Sequence, residues 1–116
     1  MATISFDFDG TLSRSDVQQF VLEIKKLGHR VLIITNRKSN KSNSDLYAVA
    51  DRLGIKRHNI FFCEMLGKHR FITPGLQIAL HADDDWLDCD LVESIGTPAV
   101  RMFDNPDWCQ EILDKL

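Results

Sequence analysis

The sequence predicts an α/β fold in which a parallel sheet of five strands carries helices on both faces. Three observations lead to this prediction. Strand-like and helical patterns alternate along the 116 residues, glycines follow most of the helical stretches, and the run Arg30–Thr35 is apolar or β-branched after its first residue. Continuous apolar strands that alternate with helices are typical of parallel sheets buried on both faces. We expect one domain over residues 1–116.

Five short stretches have the composition of strands. They are residues 3–8, 30–35, 59–63, 76–82 and 99–102. Most are rich in β-branched, aromatic or other apolar residues, and each is shorter than a typical helix. Parallel strands that are joined by helices bring their carboxyl ends to one edge of the sheet, which is where ligands bind in such folds.

Four stretches between and after these strands have helical spacing, with a capping residue before them and in most cases a glycine after them. The predicted caps and first positions are Ser15-Asp16, Ser44-Asp45, Asp85 and Asn105-Pro106, and the predicted stops are Gly28, Gly54 and Gly96. Apolar residues at helical spacing predict three inner faces: Val17, Phe20, Val21, Ile24 and Leu27; Leu46, Val49, Ala50 and Leu53; and Trp108, Ile112, Leu113 and Leu116.

The composition argues against a protein that coats nucleic acid, one held together by disulfides or zinc, and one that spans a membrane. The formal charge of −3 does not indicate a polycation that coats nucleic acid. The three cysteines are odd in number and form no Cys-x-x-Cys pair, so neither a disulfide framework nor a structural zinc site is expected. No apolar run approaches the roughly 20 residues that span a bilayer. We expect a cytoplasmic protein with no membrane partner.

Oxygen-bearing side chains collect at the predicted carboxyl edge of the sheet. They are Asp7 and Asp9 after the first strand, Thr35 and Asn36 after the second, and Asp83, Asp84 and Asp85 after the fourth. Carboxylates that lie a few ångströms apart raise each other's pKa, and a divalent cation removes that conflict. An all-oxygen ligand set with few protein ligands favours Mg²⁺.

Asp7 and Asp9 are two residues apart in an extended segment, so Phe8 points the other way, into the core. Both carboxylates can then face one reacting phosphorus, where one attacks and the other moves protons. Gly10 allows a sharp turn at the strand end, and Thr11 can hold that turn by a hydrogen bond.

These residues resemble the motifs of the haloacid dehalogenase superfamily. Asp7-Phe8-Asp9-Gly10-Thr11 resembles its motif I, Ile34-Thr35-Asn36 its motif II and Ala82-Asp83-Asp84 its motif IV. The resemblance covers essentially the whole chain, because the order and spacing of the elements also agree. It implies a three-layer Rossmann-like domain with the strand order 5-4-1-2-3.

The resemblance also implies an activity, that of a phosphoric monoester hydrolase. Asp7 would attack phosphorus to form an aspartyl-phosphate, and Asp9 would serve as general acid and then general base. Mg²⁺ would be held by the Asp7 carboxylate, the Asp9 backbone carbonyl and Asp84, with Asp83 beside them or joined to the metal through water. Thr35 would bind the transferring phosphoryl group, and a lysine would neutralise its charge.

The sequence leaves two assignments open: which cation is the lysine of the site, and which acid supports Asp84. Lys68 is in the family's usual place for the lysine, on a short helix before the fourth strand, while Lys56 and Arg70 are alternatives. Asp84 is the main acid ligand in either alignment of motif IV, supported by Asp83 in one and by Asp88 in the other.

The resemblance implies no cap domain, because the connections after the first and third strands are short. The short form is similar to the phosphatase domain of polynucleotide kinase-phosphatases. An open site suits a phosphorylated small molecule or a nucleic-acid end, or a second subunit that completes it.

Gly10, Thr11, Asn36 and Arg37 would contact substrate, and the loop after the second strand carries three cations, Arg37, Lys38 and Lys41. A phosphotransferase and a non-catalytic phosphate- or metal-binding module are the alternatives.

Overall fold

A computed structural model describes residues 1–40 and 42–116, and therefore not Lys41 of the predicted cationic loop. The described strands are β1 (Thr3–Phe6), β2 (Arg30–Thr35), β3 (Ile60–Phe62), β4 (Ile78–Asp83) and β5 (Ala99–Arg101). The described α-helices are α1 (Ser15–Lys26), α2 (Ser44–Leu53), α3 (Trp86–Ser94) and α4 (Trp108–Lys115). β2 follows α1 and β5 follows α3, whereas single helical turns at Arg57–Asn59 and Pro74–Leu76 precede β3 and β4.

The sheet is parallel throughout and has the order β3-β2-β1-β4-β5, which is the predicted order read from its other edge. The five-stranded α/β prediction is therefore confirmed. β1 lies at the centre, where Phe6 is in register with Ile33 of β2 and Ala82 of β4. The segment that follows β1 thus begins between the carboxyl ends of two neighbouring strands.

Alternate residues of the strands supply the two faces of the sheet. Ile4 and Phe6 belong to the large apolar cluster that includes buried residues of α1, α2 and α4. A smaller apolar cluster contains Cys89 and Val92 of α3 together with Ala99. Because side chains alternate along a strand, Ser5 points away from the large cluster, toward the other face.

Several helix starts differ from the prediction. Ser15 and Ser44 were predicted to cap α1 and α2 from the position before each helix. Each serine is instead the first residue of its helix, so both helices begin one residue earlier than predicted. α4 begins at Trp108 rather than beside Pro106. Asn105 Oδ1 does accept the N–H of Asp107 at 3.1 Å, as a cap would, but residues 106 and 107 form a turn and the regular helix starts after them. Asp85 is the predicted cap that is confirmed.

Three predicted inner-face residues are exposed instead. Leu27 follows the last residue of α1, and Leu113 and Leu116 lie near the end of α4. Leu113 is one position after buried Ile112, which places it about 100° around the helix. Trp108 and Ile112, four residues apart, do form the predicted buried face.

The connections on either side of the site are short, as predicted. One helix, α1, lies between the turn after β1 and the start of β2. Between β3 and β4 the chain makes only single helical turns, at Lys68–Phe71 and Pro74–Leu76. Neither connection contains a separate folded unit.

In the described part of the chain no helix is long and apolar enough to span a bilayer.

Candidate active site

A tight turn follows β1 and carries the first acids. The N–H of Asp7 still bonds to the carbonyl of Ala82 at 2.9 Å, so β1 and β4 stay together up to this point. The chain then turns back, and the N–H of Leu12 reaches the carbonyl of Asp7 at 3.1 Å. Phe8 is buried in the core, as predicted. Asp7 therefore lies at the end of the central strand with its backbone held on both sides.

Gly10 is required in this turn for two reasons. Its φ of +75° lies in the left-handed region, where side chains other than hydrogen are strained. A Cβ at this position would also overlap the carboxylate of Asp84. Thr11 adds a hydrogen bond from its hydroxyl to Asp84 Oδ1 at 3.4 Å. The turn thus approaches Asp84 closely because residue 10 has no side chain.

Three carboxylates meet at this edge of the sheet. Asp7, Asp83 and Asp84 each offer an oxygen within 4.8 Å of the others. Asp7 and Asp83 are buried and Asp84 is half-buried. The pKa of Asp7 is raised to about 9, first by burial and then by the charge of Asp83, against the attraction of Lys68. The group is an oxygen-only set in which negative charge is under-compensated.

Lys68 supplies positive charge to this group of carboxylates. Its Nζ lies 2.8 Å from Asp7 Oδ1, 2.7 Å from Asp83 Oδ2 and 3.2 Å from Asp88 Oδ2, and its side chain is only 2% exposed. Burial alone would lower the pKa of Lys68, but the charges of Asp7 and Asp83 outweigh it and raise the pKa. The lysine is therefore charged in the cluster.

The alternatives to Lys68 lie elsewhere. Lys56 and Arg70 are both exposed, and the described ion pairs connect neither of them to the three carboxylates. Of the three cationic side chains considered from the sequence, the fold brings Lys68 into contact with Asp7.

Asp83 and Asp88 both contact the lysine, at 2.7 Å and 3.2 Å from its Nζ. Asp88 is buried in the first turn of α3 and also accepts a hydrogen bond from Asn36 Nδ2 at 3.4 Å. Asp85 caps this helix, accepting the N–H groups of Leu87 at 2.9 Å and of Asp88 at 3.2 Å. Capping by Asp85 therefore positions Asp88 against the lysine.

A buried hydrogen-bonded chain extends from Asp83 into the sheet. His81 Nε2 lies 2.8 Å from Asp83 Oδ2, and Ser5 Oγ lies 2.8 Å from His81 Nδ1. The backbone N–H of Asp85 donates to Asp83 Oδ1 at 3.0 Å. Burial raises the pKa of Asp83, but His81 and Lys68 outweigh it and lower the pKa. Both oxygens of Asp83 are thus engaged by the protein.

Ser5 and His81 were not predicted as site residues, although the sequence contains a signal for them. His81 lies two positions before Asp83 in the same strand, so the two side chains share a face. Ser5 pairs with His81 in the parallel register of β1 and β4. Two polar residues in otherwise apolar central strands mark this position.

Asp9 has different surroundings from Asp7. Its carboxylate is 61% exposed and is held by Arg37 through both oxygens, with Nη2–Oδ1 at 2.7 Å and Nε–Oδ2 at 3.0 Å. The same guanidinium binds Asp45, at 2.7 Å from Nη1 to Oδ1 and 2.9 Å from Nη2 to Oδ2. Exposed ion pairs of this kind contribute only about 0.2–1 kcal/mol each.

A cavity of about 210 Å³ opens between the acid cluster and these groups. It is lined by Asp7, Asp9, Asn36, Lys68, Asp84, Asp85 and Asp88. Thr35 is not among these residues: it is fully buried, and its hydroxyl accepts the N–H of Arg37 at 3.2 Å. Of the predicted site residues, Asp7, Asp9, Asn36, Lys68 and Asp84 face one cavity, whereas Thr35, Thr11 and Asp83 are buried around it.

Comparison with known proteins supports the fold and goes no further. No protein-family model matches the chain, and no curated protein matches it. The crystal structure of an uncharacterized protein from Corynebacterium glutamicum ATCC 13032 Kitasato is similar, with a TM-score of 0.72 and 14% identity over 99% of this chain and 94% of that one. A hypothetical protein from Pyrococcus horikoshii OT3 gives a TM-score of 0.42 and 19% identity over 87% of this chain and 41% of its own. The first similarity shows that the chain has the α/β fold of a solved protein.

Proposed function

We propose that the protein is a Mg²⁺-dependent phosphatase that hydrolyses a phosphomonoester through Asp7. The observation that carries this proposal is the position of Asp7, buried at the cavity with Lys68 on one oxygen and the carboxylates of Asp83 and Asp84 beside it. A carboxylate nucleophile, a cation and an oxygen-only metal site are what phosphoryl transfer to an aspartate requires.

The donor set fits Mg²⁺. Its ligand atoms are oxygens only, they come from Asp7, Asp83 and Asp84 within 4.8 Å, and the raised pKa of Asp7 is the electrostatic conflict that a divalent cation relieves. Because Asp83 already binds Lys68 and His81, we assign the metal to the Asp7 and Asp84 carboxylates and the Asp9 carbonyl, with Asp83 orienting the lysine. Mg²⁺ bound there would supply charge neutralisation at the phosphoryl oxygens.

The chain's own residues account for the proton and bond changes. Lys68 holds Asp7 Oδ1, so Oδ2 is the oxygen assigned to attack phosphorus. The new bond joins Asp7 to phosphorus, the bond to the alcohol oxygen breaks, and that oxygen takes a proton from Asp9. Asp9 then removes a proton from water, which attacks the aspartyl-phosphate and releases inorganic phosphate and free Asp7.

The proposal also covers the class of substrate and the cellular location. Short connections on both sides leave the cavity uncapped, which suits a phosphorylated small molecule or a nucleic-acid end, and also a site completed by a second copy of the chain. The cysteines Cys63, Cys89 and Cys109 are free thiols, and a cytoplasmic location agrees with this.

The experiment is a phosphomonoester panel of nucleotides, sugar phosphates, 3′-phosphorylated oligonucleotides and an aryl phosphate, with and without Mg²⁺. Turnover by the wild type that needs Mg²⁺ and disappears in Asp7→Asn supports the proposal. Equal inactivity of both proteins on the whole panel contradicts it. Stabilisation by Mg²⁺ without any turnover would point to the non-catalytic binding module, and transfer to an alcohol acceptor to a phosphotransferase.

A further inference from the structure

We propose that Arg37 sets the specificity of the phosphatase proposed above, by holding Asp9 in the free protein and releasing it to a substrate that brings a second anionic group. The preferred substrate would be a phosphomonoester whose alcohol portion carries a further phosphate or phosphodiester. This inference rests on the proposed function, because Asp9 is the proton donor in that reaction. It adds a reason why some phosphomonoesters would be turned over faster than others.

The geometry of the Arg37 side chain carries the first step. Its fork takes both oxygens of Asp9 and both oxygens of Asp45, at 2.7–3.0 Å. A substrate's leaving oxygen has to contact the Asp9 carboxylate to exchange a proton with it. While Arg37 holds both oxygens of Asp9, that contact has to displace the guanidinium or share an oxygen with it.

The second step is that this contact can be exchanged. Asp9 and Asp45 are 61% and 62% exposed, so solvent reaches both carboxylates and can replace Arg37 on either of them. The rest of Arg37 is fixed independently of them. Its guanidinium carbon lies 4.9 Å from the centre of the buried Phe8 ring, and Thr35 Oγ accepts its backbone N–H. A guanidinium held in this way can change partners without a change in the fold.

The third step is the space beside Arg37 in which a second anionic group can bind. A cavity of about 480 Å³ adjoins the active-site cavity, and Asn36 lines both. Arg37 and Lys38 line the second cavity on the basic side, and Asp45 is the acid that faces them there. Arginine binds phosphate oxygens through the same fork that it offers to a carboxylate. A second anionic group in this cavity therefore competes for Arg37 and frees Asp9 for the leaving alcohol.

The chain offers a matched control for this arginine. Arg57 also pairs with an exposed carboxylate, Asp51, at 2.8 Å, and also lies over an aromatic ring, 4.1 Å from the centre of Tyr47. It lines neither of the two cavities. Arg57→Gln thus removes the same kind of surface ion pair and ring contact, and the same charge, at a distance from the site.

The test compares kcat/KM for three substrates in the wild type, Arg37→Gln, Arg37→Lys and Arg57→Gln. The substrates are p-nitrophenyl phosphate, which has no second anion, a nucleoside 3′,5′-bisphosphate, and a 3′-phosphorylated oligonucleotide. In Arg37→Gln we expect the ratio of kcat/KM for at least one of the two anionic substrates to kcat/KM for p-nitrophenyl phosphate to fall about tenfold or more. Arg37→Lys should keep part of the preference, and Arg57→Gln all of it.

The two anionic substrates distinguish a free phosphate from a phosphodiester backbone as the second group. An equal loss on all three substrates, or no loss on the anionic ones, overturns the inference while Asp7-dependent hydrolysis stands. Absence of any Asp7-dependent hydrolysis overturns the proposed function, and this inference with it. Thermal unfolding of each variant separates these results from loss of folding.

Discussion

Lys68 Nζ lies 2.8 Å from Asp7 Oδ1, and both side chains are buried at the end of the central strand. The pair joins segments that are 61 residues apart in the chain. It is one contact of a larger arrangement, because the same ammonium also reaches Asp83 and Asp88. One cation therefore contacts three carboxyl groups, and the stability of this edge of the sheet depends on it.

Replacing Lys68 by methionine should destabilise the protein strongly. The change leaves Asp7, Asp83 and Asp88 without their shared cation, and breaking a buried ion pair costs about 3–5 kcal/mol. Urea unfolding without added metal measures the cost, with Lys56→Met as the exposed control that should stay within about 0.5 kcal/mol. The double variant Lys68→Met/Asp83→Asn should recover part of the loss. A loss no larger than that of the control would contradict the shared role of Lys68.

Comparing Gly10→Ala with Gly28→Ala separates the cost in stability of backbone strain from the cost of a steric overlap with Asp84. Both glycines have positive φ, +75° and +93°, so alanine adds about 1–2 kcal/mol of strain at either position. Only at Gly10 would the new Cβ overlap Asp84, since nothing lies within 4 Å of a Cβ at Gly28. We expect Gly10→Ala to be the more destabilising of the two.

The same pair of variants tests the metal assignment. If Asp84 is a Mg²⁺ ligand, displacing it should reduce the rise in Tm that Mg²⁺ produces. That rise should be smaller in Gly10→Ala and unchanged in Gly28→Ala, as measured by thermal unfolding over a range of Mg²⁺ concentrations. Equal responses in both variants would argue against Asp84 as a ligand.

Ser5→Ala should destabilise the protein although it removes only a hydroxyl. An ionised Asp83 can only accept, so His81 Nε2 donates to it and Nδ1 depends on Ser5. Leaving this buried nitrogen without a partner costs about 1–3 kcal/mol. Ser94→Ala, at an exposed helix end, is the matched control, and urea unfolding gives both values. A change in Ser5→Ala that matches the control would mean that His81 finds another partner.

The ion pair between Arg37 and Asp45 predicts a pH dependence. The hydrogen bonds from Arg37 lower the pKa of Asp45 from 3.8 to about 2. A carboxyl whose folded-state pKa is depressed contributes stability above its unfolded pKa and loses that contribution as the pH falls through the folded value. The stability difference between wild type and Asp45→Asn should therefore be present at about pH 5–7 and vanish toward about pH 2.

Because Asp45 is 62% exposed, this difference should not exceed about 1 kcal/mol. Urea unfolding at a series of pH values measures it. Asp114→Asn, which removes one charge from the exposed end of α4, corrects for the change in net charge. A difference that grows as the pH falls would have the wrong sign for the ion pair.

Local patterns in the sequence were sufficient for much of the architecture. The apolar run Arg30–Thr35 is a buried strand, Gly54 and Gly96 follow their helices with positive φ, and Asp85 caps α3. Each of these features depends on residues that are neighbours in the chain. The predicted start of the last helix at Pro106 was wrong by two residues: Asn105 accepts the N–H of Asp107 as a cap does, but residues 106 and 107 form a turn and α4 begins at Trp108.

By itself the sequence determined the alternation of strands and helices, and with it the edge of the sheet where Asp7, Asp9 and Asp84 collect. Periodicity within an element and the parallel connection rule carry that information. The tertiary structure decided which lysine meets Asp7 and that Ser5 and His81 hold Asp83. It also decided that Arg37 takes both oxygens of Asp9, the proposed general acid of the Asp7 reaction. Three of these contacts, Arg37 with Asp9, Lys68 with Asp7 and Ser5 with His81, join residues 28 to 76 positions apart. Side chains that far apart in the chain come within hydrogen-bonding distance only when the sheet and its helices pack, and no spacing along the chain encodes that approach.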